Sequence, residues 1–292
     1  MGRAATLAEF LRWARQTAPA ERYALLILAH GVPPAPDESE EAGTAGRLAL
    51  GALAEALGEG EAPRFEVIFL DCCYSGSVEV ADRLVGHARY LVAAPGLLYS
   101  PGLPWEAILG QLTRRPEMGG RALALEAAQQ ARSFWGERQE APASLVAADL
   151  DRVPALTQAL RNLAQTALPQ VEQLAPALTL ARGRAAGWGP QRELVEVASL
   201  AEALAETTSV AAVAEQAQRV SAAAHDATVQ AWRLEPGESE ESGAGLGIFY
   251  PLSIRSWSLR YGAAEPGSFE SDWALLLRAY LRRMTQLAGG GK

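Results

Sequence analysis

A chain of 292 residues can bury a full hydrophobic core without staples, and its two cysteines, adjacent at 72 and 73, exclude a disulfide framework. A formal net charge of −8 with no basic run argues against a nucleic-acid partner. No stretch of about 18 apolar residues is present to span a membrane, and the N-terminus alternates apolar with charged residues where a secretory signal would be apolar, so no export signal is visible: the chain reads as cytoplasmic as written, and its localisation stays open.

Thr6 and Glu9 form a capping-box pattern, and Leu7, Phe10, Leu11 and Ala14 recur at helical spacing, predicting an amphipathic helix to about Gln16. The run YALLILAHG, 23 to 31, is apolar on both faces and ends in glycine, as a buried parallel strand does, with His30 at its far end. Residues 32 to 46, rich in proline, glycine and acid, predict a loop, and RLALGALAEAL, 47 to 57, a helix. FEVIFLD is a second buried strand ending at Asp71, SVEVADRLVGHA a helix, and RYLVAAP a third strand. Strands alternating with helices predict an α/β fold: a mostly parallel sheet flanked by helices, with right-handed crossovers. From 149 to 232 the sequence is rich in alanine and leucine with little strand signal, a helical subregion within one domain spanning 1 to 292. A loop, EPGESEESGAGLG, then leads to a strand, IFYPLSI, and a final helix around DWALLLRAYLRRM.

In open α/β sheets reactive groups collect beyond the carboxyl ends of the strands, where His30, Cys72 and Cys73 fall. A histidine and a thiol sharing that crevice suit nucleophilic catalysis, with the imidazole as base, and a helix starting near Ser77 would add a dipole contribution of about 0.3 to 1 kcal/mol. Alternation along a strand puts Asp71 and Cys73 on one side and leaves Cys72 to the core. A carboxylate at the base of an adjoining pocket would bind a cationic side chain, predicting arginine or lysine immediately before the cleaved bond. His87 and His225 read as surface or half-buried residues and Glu79 as structural. No metal is expected, because Cys72, Cys73 and one histidine lack the paired spacing of tetrahedral sites. The glycines of GAGLG precede a strand, the wrong context for phosphate binding. On the residues alone three readings stay open: a cysteine endopeptidase, a non-catalytic binding protein, and a thiol redox or metal-binding protein using both cysteines.

YALLILAHG and FLDCCYSGSVEVADRL resemble the two catalytic blocks of the clostripain family of cysteine endopeptidases, within the caspase-like clan, and D-C-C-Y-S-G is also similar to the D-x-C-x-S-G block of metacaspases. The likeness extends over nearly the whole chain, through YLVAAPGLLYSPGLPWEAILGQL, the stretch ASLVAADLDRVPALTQALRNLA read as helical, ARGRAAGWG, RELVEVASLAEAL, and GLGIFYPLSI with the late Trp273. It implies a caspase-like fold with a large C-terminal helical segment, Cys73 as nucleophile and His30 as base. It also implies the backbone amides of Gly31 and Cys73 as an oxyanion hole, and Asp71 as the acid that receives an arginine or lysine of a protein or peptide substrate. No cofactor is required for that chemistry. Some relatives make calcium an activator, although no calcium-loop pattern is legible. The family is often made as a zymogen cut between histidine and cysteine, where Arg47 and Arg64 are the candidate self-cleavage sites.

Departures from the family pattern are specific. Ala94-Pro95 stands where serine and an acidic or amide residue are common, and Gly102-Leu103 where glycine-tryptophan is usual. Two strands that normally precede the histidine strand are absent, which would leave YALLILA as an apolar sheet edge. The expectation is an N-terminal segment missing from this reading frame, or a second chain that supplies it. The alternative is a catalytically inactive or N-terminally truncated caspase-fold binding protein.

Overall fold

The computed structural model describes residues 4–29, 50–59, 64–138, 142–189, 191–235, 245–261 and 268–289. The chain runs α1 (Ala4–Thr17), β1 (Ala24–Leu28), α2 (Leu50–Glu59), β2 (Phe65–Asp71), α3 (Val78–Leu84), β3 (Ala88–Ala93), α4 (Trp105–Arg114), α5 (Gly120–Arg138), β4 (Ala143–Asp149) and α6 (Val153–Ala167). It continues through α7 (Val171–Arg184), β5 (Gly187–Trp188), β6 (Leu194–Glu196), α8 (Val197–Thr207), α9 (Ala211–Ala227), β7 (Thr228–Leu234), β8 (Gly247–Phe249), α10 (Ile254–Tyr261) and α11 (Phe269–Gly289).

Among the described residues the central sheet has the order β1-β2-β3-β4-β7. Strands β1, β2 and β3 are parallel, β4 is antiparallel to β3, and β7 is antiparallel to β4, so only β4 runs against the rest. A smaller antiparallel sheet has the order β5-β6-β8. The inner strands β2, β3 and β4 are largely buried on both faces, which explains the continuous apolar runs of β2 and β3, whereas β1, expected to be buried, has only Leu25 buried because it lies at the edge. On one face Ile68, Leu70, Cys72, Leu91, Ala93, Val146 and Ala148 pack with α1, α2, α3, α6 and the C-terminal helices. On the other, Val67, Phe69, Val92, Leu145, Ala147 and Trp232 pack under α4 and α5, where Ala124, Ala127, Ala128 and Ala131 let α5 sit close. Strand β1 is an edge of the sheet among the described residues, and Leu28 at its end is 63% exposed.

Four further expectations need correction. Helix α1 already includes Ala4, so Thr6 lies inside the first turn and does not cap it. The run ASLVAAD, read as helical, forms β4: its first six residues are buried between the two helical layers, and that burial overrides alanine's helix propensity. The subregion 149 to 232 holds α6, α7, α8 and α9 but also β5, β6 and β7. Strands of two or three residues, such as β5 and β6, are too short to show a period. Finally, IFYPLSI is strand only as far as Phe249, and its last residue, Ile254, starts α10.

Candidate active site

Strand β2 ends at Asp71, and the next residues turn sharply at the carboxyl edge of the sheet. Cys72 points into the core and is 3% exposed, whereas Cys73 is half-buried. Tyr74 adopts a left-handed conformation, φ 57°, which reverses the chain immediately after the second thiol. The turn is then tied to the exit of the neighbouring strand β3: Tyr74 N donates to Gly96 O at 2.9 Å and Gly76 N to Ala94 O at 3.0 Å. Ser75 fastens it from inside. Its hydroxyl donates to Cys72 O at 2.8 Å and accepts from Ala94 N at 3.3 Å. At Gly76 a Cβ would lie 2.7 Å from Pro95 N, so the close approach of the two loops requires glycine there. Gly247, just inside β8, donates to Gly76 O at 2.9 Å and ties the C-terminal segment to the same turn.

The Cys73 sulfur lies against the loop after β3. Leu98 N donates to Sγ at 3.3 Å, and Sγ lies 3.6 Å from Leu98 O, so one residue's peptide groups bracket the thiol. The Cys73 backbone N–H has no hydrogen-bond partner among the described residues. Beside it, burial pushes the Tyr74 phenol above its ordinary value, with smaller contributions from Cys73 and Tyr99, which keeps that hydroxyl neutral. Helix α3 begins at Val78, where Ser77 caps it by accepting from Val80 N, the start expected from the sequence. At the sulfur itself the donor is the Leu98 N–H.

Asp71 shares the α4-facing side of β2 with Phe69 and is 8% exposed. Its Oδ2 accepts the Trp105 indole N–H at 2.7 Å and Leu103 N at 3.2 Å. Trp105, the first residue of α4, stands edge-on to Phe69 with ring centroids 5.3 Å apart. Gly102, φ +83°, lies flat against the carboxylate, where a Cβ would overlap both oxygens.

The structure thus places Cys73 and Asp71 on one side of the strand end and sends Cys72 to the core. His30, Gly31 and Arg47 lie outside the described residues; Ala29, the residue before His30, donates its N–H to Asp71 O at 3.4 Å, continuing the parallel ladder from Leu28. Arg64 precedes β2, forms an ion pair with Asp151 and donates to Ala88 O. Gly102 falls at the Gly102-Leu103 departure from the family pattern, whereas nothing local in the sequence marks Leu98 as a partner of Cys73 or Trp105 as a partner of Asp71. Among the described residues no three acidic, histidine or cysteine side chains group to hold a metal.

The profile of the clostripain family matches residues 1–273. The chain belongs to the clostripain family. It is a cysteine-type peptidase, and peptidases of this family need no cofactor for catalysis. Among solved structures, this clostripain-family chain resembles a secreted C11 cysteine protease from Bacteroides thetaiotaomicron in complex with an irreversible peptide inhibitor: 18% identity, TM-score 0.63, 85% of this chain and 68% of that one. It also resembles an inactive zymogen C11 protease from Parabacteroides distasonis, at 18% identity and TM-score 0.64, over 86% of this chain and 70% of that one. A clostripain from Bacteroides thetaiotaomicron in complex with the peptide inhibitor BTN-VLTK-AOMK matches at 14% identity and TM-score 0.57, over 78% and 95% of the two chains. These identities establish a shared fold. No curated protein matches the chain.

Proposed function

We propose that this peptidase hydrolyses the bond after arginine or lysine through a dyad of Cys73 and His30. The observation that carries the reading is the position of Cys73 and Asp71 on one side of the end of β2, with Ala29, directly before His30, bonded across to Asp71 O. In the first step His30 takes the thiol proton and the Cys73 sulfur attacks the scissile carbonyl carbon. The resulting oxyanion is received by the N–H groups of Gly31 and Cys73. A Cys73 N–H with no partner among the described residues suits that task. The imidazolium then gives its proton to the leaving amine, and a thioester remains. Water, deprotonated by His30, attacks the thioester and releases the acid product and the free thiol. Asp71 receives the basic side chain before the cleaved bond; the lysine in the peptide bound to the Bacteroides clostripain supports a basic residue there.

Self-processing, in keeping with the zymogen form of the Parabacteroides relative, is assigned to Arg47 over Arg64. The bond after Arg64 leads into β2, where Phe65 is buried and donates its N–H to His87 O at 2.8 Å, so a protease would have to peel the strand open. Calcium as an activator rests on the family resemblance, with no cluster of three acidic, histidine or cysteine side chains among the described residues to support it. An N-terminal segment or second chain would add beside β1, whose outer edge pairs with no strand among the described residues.

The test is hydrolysis of fluorogenic peptides ending in arginine or lysine. Activity is expected in the wild type, lost in Cys73→Ala and His30→Ala, and retained in Cys72→Ala. Activity surviving in Cys73→Ala, or a second requirement for Cys72, contradicts the dyad. Full activity from a monomer of this chain removes the need for an added segment, and an intact mass after long incubation removes self-processing.

A further inference from the structure

We propose that Trp105 sets the preference of the substrate pocket: by reserving one oxygen of Asp71 it makes lysine, over arginine, the side chain best accepted. This rests on the peptidase reading above, in which Asp71 meets the residue before the cleaved bond. An ionised carboxylate has about two acceptor sites on each oxygen. On Oδ2 both are used, by the indole at 2.7 Å and the Leu103 N–H at 3.2 Å. No donor reaches Oδ1 among the described residues, and Gly102 closes over one flank of the carboxylate.

The two basic side chains ask for different things. A guanidinium presents a rigid planar fork that matches both oxygens of a carboxylate at once. With Oδ2 occupied, one arm of the fork enters a buried site and finds no acceptor, which carries a desolvation penalty. An ammonium is a compact charge with rotatable donors, and one free oxygen serves it. The indole is not readily displaced, because its ring is held edge-on to Phe69 and starts α4, whose Ile108 is buried in the core.

The experiment compares kcat/KM for peptide substrates that differ only in lysine or arginine before the bond, in the wild type and in Trp105→Phe. The wild type should favour lysine by roughly tenfold, the worth of one charge-assisted hydrogen bond. Trp105→Phe, which keeps a ring but no donor, should bring the ratio toward one, chiefly by raising the arginine value. Since that variant can disturb the start of α4, a second measurement uses Cys73→Ser protein and saturation-transfer NMR with acetyl-lysinamide and acetyl-argininamide. Lysinamide binding more tightly supports the assignment. Arginine equal or preferred in either assay, or a ratio unmoved in folded Trp105→Phe, overturns it while leaving the peptidase reading intact. Failure to cleave after, or bind, either basic residue removes the pocket reading and this inference together.

Discussion

The Ser75 hydroxyl holds the turn that presents the Cys73 sulfur. It is fully buried, and it links the carbonyl of Cys72 to the amide of Ala94 on the neighbouring strand exit. Ser75→Ala leaves a buried N–H and a carbonyl without that partner, so urea unfolding should show a loss of about 1–3 kcal/mol, with a fall in kcat that the retained thiol does not prevent. An unchanged midpoint would mean that the turn is held by its backbone bonds alone. At this scale the separation of the two cysteines was readable, because side-chain alternation along FEVIFLD fixes which thiol faces the core. The engagement of Asp71 by Trp105 was not, since the partners lie 34 positions apart and only the path of the loop after β3 brings them together.

Among the elements, α4 and α5 matter most to the proposed pocket, because α4 carries Trp105 and must stay docked. Arg115, just past α4, forms an ion pair with Glu126 of α5, which Gln130 also contacts. Hydrogen bonding from Gln130, aided by Arg115 and opposed by burial, holds Glu126 below the ordinary carboxylate range. A depressed folded-state value means that this contribution is fully present above the unfolded value of about 4.3 and is lost as the pH falls through the folded value. Glu126→Gln should therefore cost a few tenths of a kcal/mol at neutral pH, as expected of a partly exposed pair, and flatten the acid limb of the stability curve; an acid limb identical to wild type would contradict the assignment. Long apolar strands such as β2 and β3 were legible from pattern alone. Strand β4 was not, because its alanines favour helix locally and only burial between two layers makes them extended. The two- and three-residue strands β5 and β6 carry no period to read.

Across the whole molecule the C-terminal segment buttresses the site from a distance in sequence. Gly247 bonds to Gly76, Phe249 N donates to the buried Glu79 of α3 at 3.0 Å, and Trp273 of α11 donates to Phe249 O at 3.2 Å. The tie explains why Glu79, which reads as structural, sits 2% exposed beside the turn that carries Cys73. The mostly parallel sheet and the position of the two cysteines at its carboxyl edge could be argued from strand and helix order, but the small sheet that carries this buttress could not. The central claim is that Cys73, and not its neighbour, is the nucleophile. Its most direct test is to treat the full chain with a peptide acyloxymethyl ketone ending in lysine and locate the adduct by tandem mass spectrometry. One adduct, on Cys73, absent in His30→Ala and leaving Cys72 free, is the expected result; an adduct on Cys72, or none on protein that still cleaves peptides, would contradict it.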